Sequence, residues 1–188
     1  NNLSCDVDLT YSITIGANNT VFDYAGYTIL FSDNSGGIYS DGFKNITVQN
    51  CNIIQPSYDY VPYLAIYISN SDDSNIINNT ITTDGLYSTG IHLESSIRVN
   101  LTDNIINITN GTLDSSTNWA DGISLSGLNN SWLIGNNIYS NPGSGIEAVS
   151  SENNEIKNNN IITFGLISYG INMGGGNNTF ENNVIVTN

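Results

Sequence analysis

The sequence predicts an all-β fold, a right-handed, single-stranded parallel β-helix of about seven coils, and three recurrences carry that expectation. An Ile, usually preceded by Gly, returns as Ile38, Ile66, Ile91, Ile123, Ile146 and Ile171. Ten residues after each of the first five stands a second apolar residue, at Val48, Ile76, Leu101, Leu133 and Ile156, and Phe180 follows the sixth after nine. Five residues further on comes a third, at Ile53, Ile81, Ile106, Ile138, Ile161 and Ile185. A fixed spacing inside a repeat is the mark of a solenoid, whose single units cannot bury their apolar residues alone.

Along the chain, residues 1–8 read as an N-terminal arm and residues 9–188 as the coils of one domain. Segment 9–32 is a less regular first coil with Ile13, Ile15, Val21 and Ile29 expected inward. Alternation of period two in Gly90-Ile91-His92-Leu93 and Gly122-Ile123-Ser124-Leu125 marks strands. Coils stacked about 4.8 Å apart let each strand pair in parallel with its copies, so the inward aliphatics form columns. The repeat varies from 23 residues (Ile123 to Ile146) to 32 (Ile91 to Ile123). All of that variation falls between the third apolar position and the next Gly-Ile. One corner therefore accepts insertions, the longest at 54–64 and 107–121.

Two residues before the third apolar position an Asn recurs, as Asn79, Asn104, Asn136, Asn159 and Asn183, with Cys51 in its place in an early coil. Stacked amides hydrogen-bond along such a column, which makes these residues structural. No stretch has helical periodicity, which excludes an α-solenoid, and a β-propeller needs longer repeats and antiparallel hairpins.

The segments Gly145-Ile146-Glu147-Ala148 and Asn154-Glu155-Ile156-Lys157-Asn158-Asn159-Asn160-Ile161 resemble the repeats of NosD-like and pectate-lyase-like right-handed β-helix proteins, over about four fifths of the chain. The stretch from Ile15-Gly16-Ala17-Asn18 through Gly26-Tyr27-Thr28-Ile29 is similar to the first coil of adhesin-like surface proteins of methanogenic archaea. The resemblance implies the fold and says little of function, because lyases, hydrolases, epimerases, adhesins and tail spikes share it.

Composition narrows the partners. Seventeen acidic residues against three basic ones, Lys44, Arg98 and Lys157, give a net charge of −14. Nucleic acid binding needs clustered Lys and Arg, so it is excluded, as is a grip on anionic lipid or polyanionic sugar. No apolar run approaches the roughly 18 residues of a membrane span, which excludes membrane insertion. The chain opens on Asn1, as a processed or excised chain would.

Catalytic groups were sought in the outward columns. The position after Gly-Ile runs Tyr67, His92, Ser124, Glu147 and Asn172, which leaves Glu147 without an acidic neighbour in its column. Glu94 stands in a column that continues with Ser126 and Val149. Glycoside cleavage needs two carboxyl groups about 5–9.5 Å apart, and no such pair emerges, so no catalytic residue is assigned. His92 reads as a surface residue and Lys157 as alone on a polar face, while Lys44, Asp72, Asp73 and Arg98 fall on one corner as ion pairs. No transition-metal site or other cofactor is expected. Calcium at Asp6 and Asp8, or at Asp72 and Asp73, is a weaker candidate, without the spacing of a dedicated loop.

Cys5 and Cys51 are the only cysteines; an intrachain disulfide, a buried free thiol and an intersubunit bridge all stay open. Nine Asn-X-Ser/Thr sequons, at Asn2, Asn18, Asn45, Asn78, Asn100, Asn107, Asn110, Asn129 and Asn177, are candidate glycosylation sites, although a chain this rich in Asn generates sequons by chance. The variable corner gathers Phe31, Tyr58, Tyr60, Tyr63, Tyr87, Trp119, Tyr139, Phe164 and Tyr169. Tyr58, Tyr60, Tyr63, Tyr87 and Trp119 are the candidate contacts for carbohydrate or protein, whereas Phe164 and Tyr169 are expected to pack loops onto the coil.

The chain ends at Thr187-Asn188 with no polar cap, which points to an excised segment or to an end covered by a neighbour. The expected function is a non-catalytic structural protein of a cell surface or extracellular layer, self-assembling end to end. The alternative is a carbohydrate-binding adhesin or polysaccharide-modifying enzyme that uses the aromatic corner.

Overall fold

A computed structural model describes residues 3–4, 11–31, 36–56, 64–84, 88–109, 120–165 and 168–188. Every strand pairing in it is parallel. Three sheets run the length of a right-handed β-helix, two of seven strands and one of eight, and each coil contributes one strand to each.

Sheet one stacks strands such as Gly36–Asp41, Leu64–Ser69, Thr89–Glu94, Ile123–Ser126, Ile146–Val149 and Ile171–Met173. Sheet two stacks Val21–Asp23, Thr47–Gln49, Asn75–Ile77, Asn100–Thr102, Trp132–Ile134, Glu155–Lys157 and Thr179–Glu181. Sheet three runs from Leu3–Ser4 and Thr28–Leu30 through Asn52–Pro56, Thr80–Asp84, Ile105–Thr109, Asn137–Ser140 and Asn160–Thr163 to Val184–Thr187. The three apolar recurrences are the inward positions of these sheets. Ile66, Ile91, Ile123 and Ile146 are in register in sheet one, and Ile81, Ile106, Ile138 and Ile161 in sheet three, all fully buried.

In the first coil one expectation is corrected. Val21 is 63% exposed, and Phe22, in register with Val48, points inward instead. Alternation of period two makes the two exclusive, and it is the Phe22 ring that packs against the core. Phe31, assigned to the variable corner, is also a core residue, 1% exposed.

The Gly before each Ile has a steric cause. A Cβ at Gly90, Gly122 or Gly145 would lie 2.6, 2.4 or 2.2 Å from Cγ2 of Ile106, Ile138 or Ile161, and about as close to the carbonyl oxygen of the next coil. Only hydrogen fits where the chain enters sheet one at those coils.

Asparagine does two jobs. The inward column forms as expected: Nδ2 of Asn79, Asn104, Asn136 and Asn159 donates to Oδ1 of the next member at 2.9–3.0 Å. The same Nδ2 atoms donate to the carbonyls of Val48, Ile76, Leu101 and Leu133, and each Oδ1 also accepts a backbone N–H from the coil before. The other job is conformational. Asn45, Asn130, Asn153 and Asn177 at one corner, and Asn50, Asn78, Asn158 and Asn182 at another, sit at φ between 52° and 58°. Asn tolerates this left-handed region better than other side-chain-bearing residues do, so much of the composition is spent on corners.

Candidate functional site

The alternation that sends Ile38, Ile66 and Ile91 inward sends Tyr39, Tyr67 and His92 outward as a continuous row on sheet one. Tyr39 and Tyr67 have ring centroids 5.5 Å apart, and Tyr67 and His92 5.2 Å. The Tyr67 hydroxyl donates to Oε2 of Glu94 at 2.5 Å, and Tyr39 hydrogen-bonds Asp41. Burial, aided by the Asp41 carboxylate, raises the Tyr39 phenol above its ordinary value. His92 is therefore not a plain surface residue. It is half-buried against Tyr67, and burial pushes its pKa down, with Glu94 opposing.

Two rungs beyond His92, Glu147 stands between Ser124 and Asn172 in its column, as expected, but a carboxyl group reaches it from outside the column. Ser144 donates its backbone N–H to Oδ1 of Asp121 at 2.9 Å and its hydroxyl to Oε2 of Glu147 at 3.1 Å. Asn172 donates to the other oxygen of Glu147 at 2.8 Å. Asp121 is 6% exposed, and burial, with Glu147 adding to it, raises its carboxyl to about 7 despite the Ser144 hydrogen bond. Such a group can hold a proton near neutrality. Asp121 precedes Gly122 at the end of the variable insertion, so it stands outside the aligned outward positions that the repeat makes legible.

The three basic residues each pair with carboxylates along the coils. Lys44 Nζ lies 2.8 Å from Asp72 Oδ2, and Arg98 meets Asp73 through two hydrogen bonds of 2.5 and 2.8 Å. These pairs occupy the carboxylates weighed as a calcium site at Asp72 and Asp73; Asp6 and Asp8 lie outside the described residues. Lys157 is not alone: Glu155 is 3.0 Å away on its own strand, and Glu181 3.4 Å away on the next coil.

The aromatic corner is described only in part. Tyr58, Tyr60, Tyr63, Tyr87 and Trp119, the candidate contacts, lie outside the described residues. Phe164 packs on Tyr139 with centroids 5.5 Å apart, whereas Tyr169, expected to pack likewise, is 51% exposed. Cys5 also lies outside the described residues, and Cys51 is a free buried thiol whose pKa burial raises to about 11. Of the sequons, Asn2 and Asn110 fall outside the described residues. Asn18, Asn45, Asn78 and Asn177 are exposed, and Asn100, Asn107 and Asn129 are partly buried.

The family model described as right handed beta helix region matches residues 65–188. No curated protein matches the sequence. Among solved structures, a double mutant and a single mutant of the periplasmic alginate epimerase AlgG match with TM-scores of 0.50 and 0.52, each at 16% identity. The matches cover 86% and 85% of this chain but 51% of each AlgG chain, so the chain spans about half their length. At that identity the likeness is one of fold.

Proposed function

The chain belongs to the right-handed β-helix family, and within it we propose a non-catalytic structural protein of a cell surface or extracellular layer. The observation that carries this reading is the amide spine from Asn79 to Asn183, which ties the coils together lengthwise beside a dry aliphatic core. A rod so cross-linked resists bending and local opening. The outward carboxyl groups suit a support role, since Glu94 and Glu147 are both engaged by neighbouring side chains. The periplasmic setting of AlgG supports a location outside the cytoplasm. End-to-end assembly is the finer form of the reading, since coils that already stack in parallel on copies of themselves use the pairing two chains would share.

Immunogold labelling of intact source cells, with electron microscopy of the isolated material, tests the proposal. Labelled surface polymer is the expected result. A cytoplasmic location, or polysaccharide cleavage or epimerisation that disappears in Asp121→Asn or Glu147→Gln, would overturn it.

A second reading, carbohydrate binding, is favoured by the Tyr39, Tyr67 and His92 row beside Glu94. Its test is a glycan array with wild type and Tyr67→Ala. Binding that the substitution abolishes supports it, and an array without signal removes it.

A further inference from the structure

The three sheets differ in outward charge. Sheet one carries Asp41, Glu94 and Glu147, and sheet two carries Asp23, Glu155, Lys157 and Glu181. On sheet three, the two outward columns that run from Thr28 and Leu30 to Val184 and Val186 hold only Thr, Asn, Tyr and aliphatic residues. Asp84, at the end of its strand, is the one charged residue of the sheet among the described residues, and it lies beyond both columns. Leu30 and Ile105 on this face are 41% and 43% exposed. In a chain of net charge −14, a face of seven rungs whose one carboxylate among the described residues, Asp84, stands at its rim is a departure that solubility does not explain.

We propose that the outward face of sheet three is a lateral docking surface for a second copy of this chain. Sheets pack face to face at about 10 Å, which is about one Debye length at physiological salt. Two copies meeting through sheet one or sheet two would set like carboxylates within that range. Meeting through sheet three, they bring Thr, Asn and aliphatic side chains together and leave the carboxylates of the other two sheets on the far sides. A two-fold axis lying in the plane of the contact suffices, and the contact is then isologous. Seven rungs about 4.8 Å apart, crossed by strands about 10–13 Å long, give on the order of 350 Å² per copy. A standard interface takes about 800 Å² per partner. The pair is therefore weak in solution and gains strength where many copies are held side by side.

This deepens the layer reading by naming a lateral partner, and the two fail separately: labelling of cells tests the location, whereas the following test concerns the face. Sedimentation equilibrium of the full chain up to about 1 mM compares wild type with Ile54→Glu and Thr82→Glu on sheet three and Ile77→Glu on sheet two, each checked for an unchanged Tm. The expected result is reversible wild-type association, weakened at least tenfold by either sheet-three variant and left intact by Ile77→Glu. A disulfide-trapped dimer of Asn107→Cys, which sits in the middle rung of the face, is the second expected result. A wild-type monomer throughout, or association insensitive to Thr82→Glu, overturns the proposal. So does a neutral glycan that binds the monomer through this face.

Discussion

Asn136 donates its side-chain amide to Oδ1 of Asn159 at 2.9 Å, one coil away, while the same Nδ2 reaches the carbonyl of Leu101 at 3.0 Å, one coil back. Its own Oδ1 accepts both the backbone N–H and the side-chain amide of Asn104. One fully buried side chain thus satisfies polar groups on three coils.

Asn136→Ala removes that clamp, leaves the Asn104 backbone N–H without its acceptor, and takes one bond each from the Asn104 amide and the Leu101 carbonyl. At about 1–3 kcal/mol for the buried group left unsatisfied, with the lost bonds added, the expected loss is roughly 3–5 kcal/mol in urea unfolding. A loss below about 1 kcal/mol would mean that the spine is decorative.

Cys51 occupies the place of the spine in its coil, and its backbone N–H already donates to Asn79 Oδ1 at 3.1 Å. Cys51→Asn extends the amide column by one member, so the variant is expected to melt at the wild-type temperature or above. Cys51→Ala, which only deletes buried volume, is expected to melt lower. Calorimetry of the pair checks the order.

Arg98 stands at φ 57°, a left-handed position that Asn fills in the same column at Asn45 and Asn130. Strain there costs about 1–2 kcal/mol, and an ion pair as exposed as that with Asp73 returns little of it. Arg98→Asn is therefore expected to be neutral or slightly stabilising, and wild type, not the variant, should lose stability on addition of salt. A clear destabilisation measured in urea would show that the pair outweighs the backbone.

The fold was legible from apolar spacing because burial acts at every coil and punishes each departure. The inward Asn column was legible for the same reason. Less legible were features set by side chains on the same strand or the next rung, or by chain leaving the columns. Lys157 has its two carboxylates on its own strand and on the next coil, and Asp121 reaches Ser144 from the end of an insertion that follows no period. Val21 and Phe22 are both apolar, so pattern alone could not say which turns inward. Asn at the corners was hidden inside the composition: one letter serves both a ladder and a left-handed turn.

Asp121 gives the account a pH signature. Its carboxyl is raised from 3.8 to about 7 by burial, so between those values the folded protein holds a proton that the unfolded chain has released. Its contribution to stability is complete below the unfolded value and is lost as pH rises toward about 7, with no further change above. Asp121→Asn, which keeps an oxygen for the Ser144 N–H, is expected to flatten this slope and to be more stable than wild type at pH 8. Urea midpoints across that range check it, and parallel curves for the two proteins would count against it.

Hydrogen exchange of side-chain amides, followed by NMR, reaches the central claim most directly, because Asn136 and Asn137 are sequence neighbours on opposite sides of the coil wall. The account predicts that the Nδ2 protons of Asn104, Asn136 and Asn159 persist in deuterated water long after those of exposed Asn137 have gone. Exchange of Asn136 as fast as that of Asn137 would contradict a buried amide spine and the stacked parallel coils built around it.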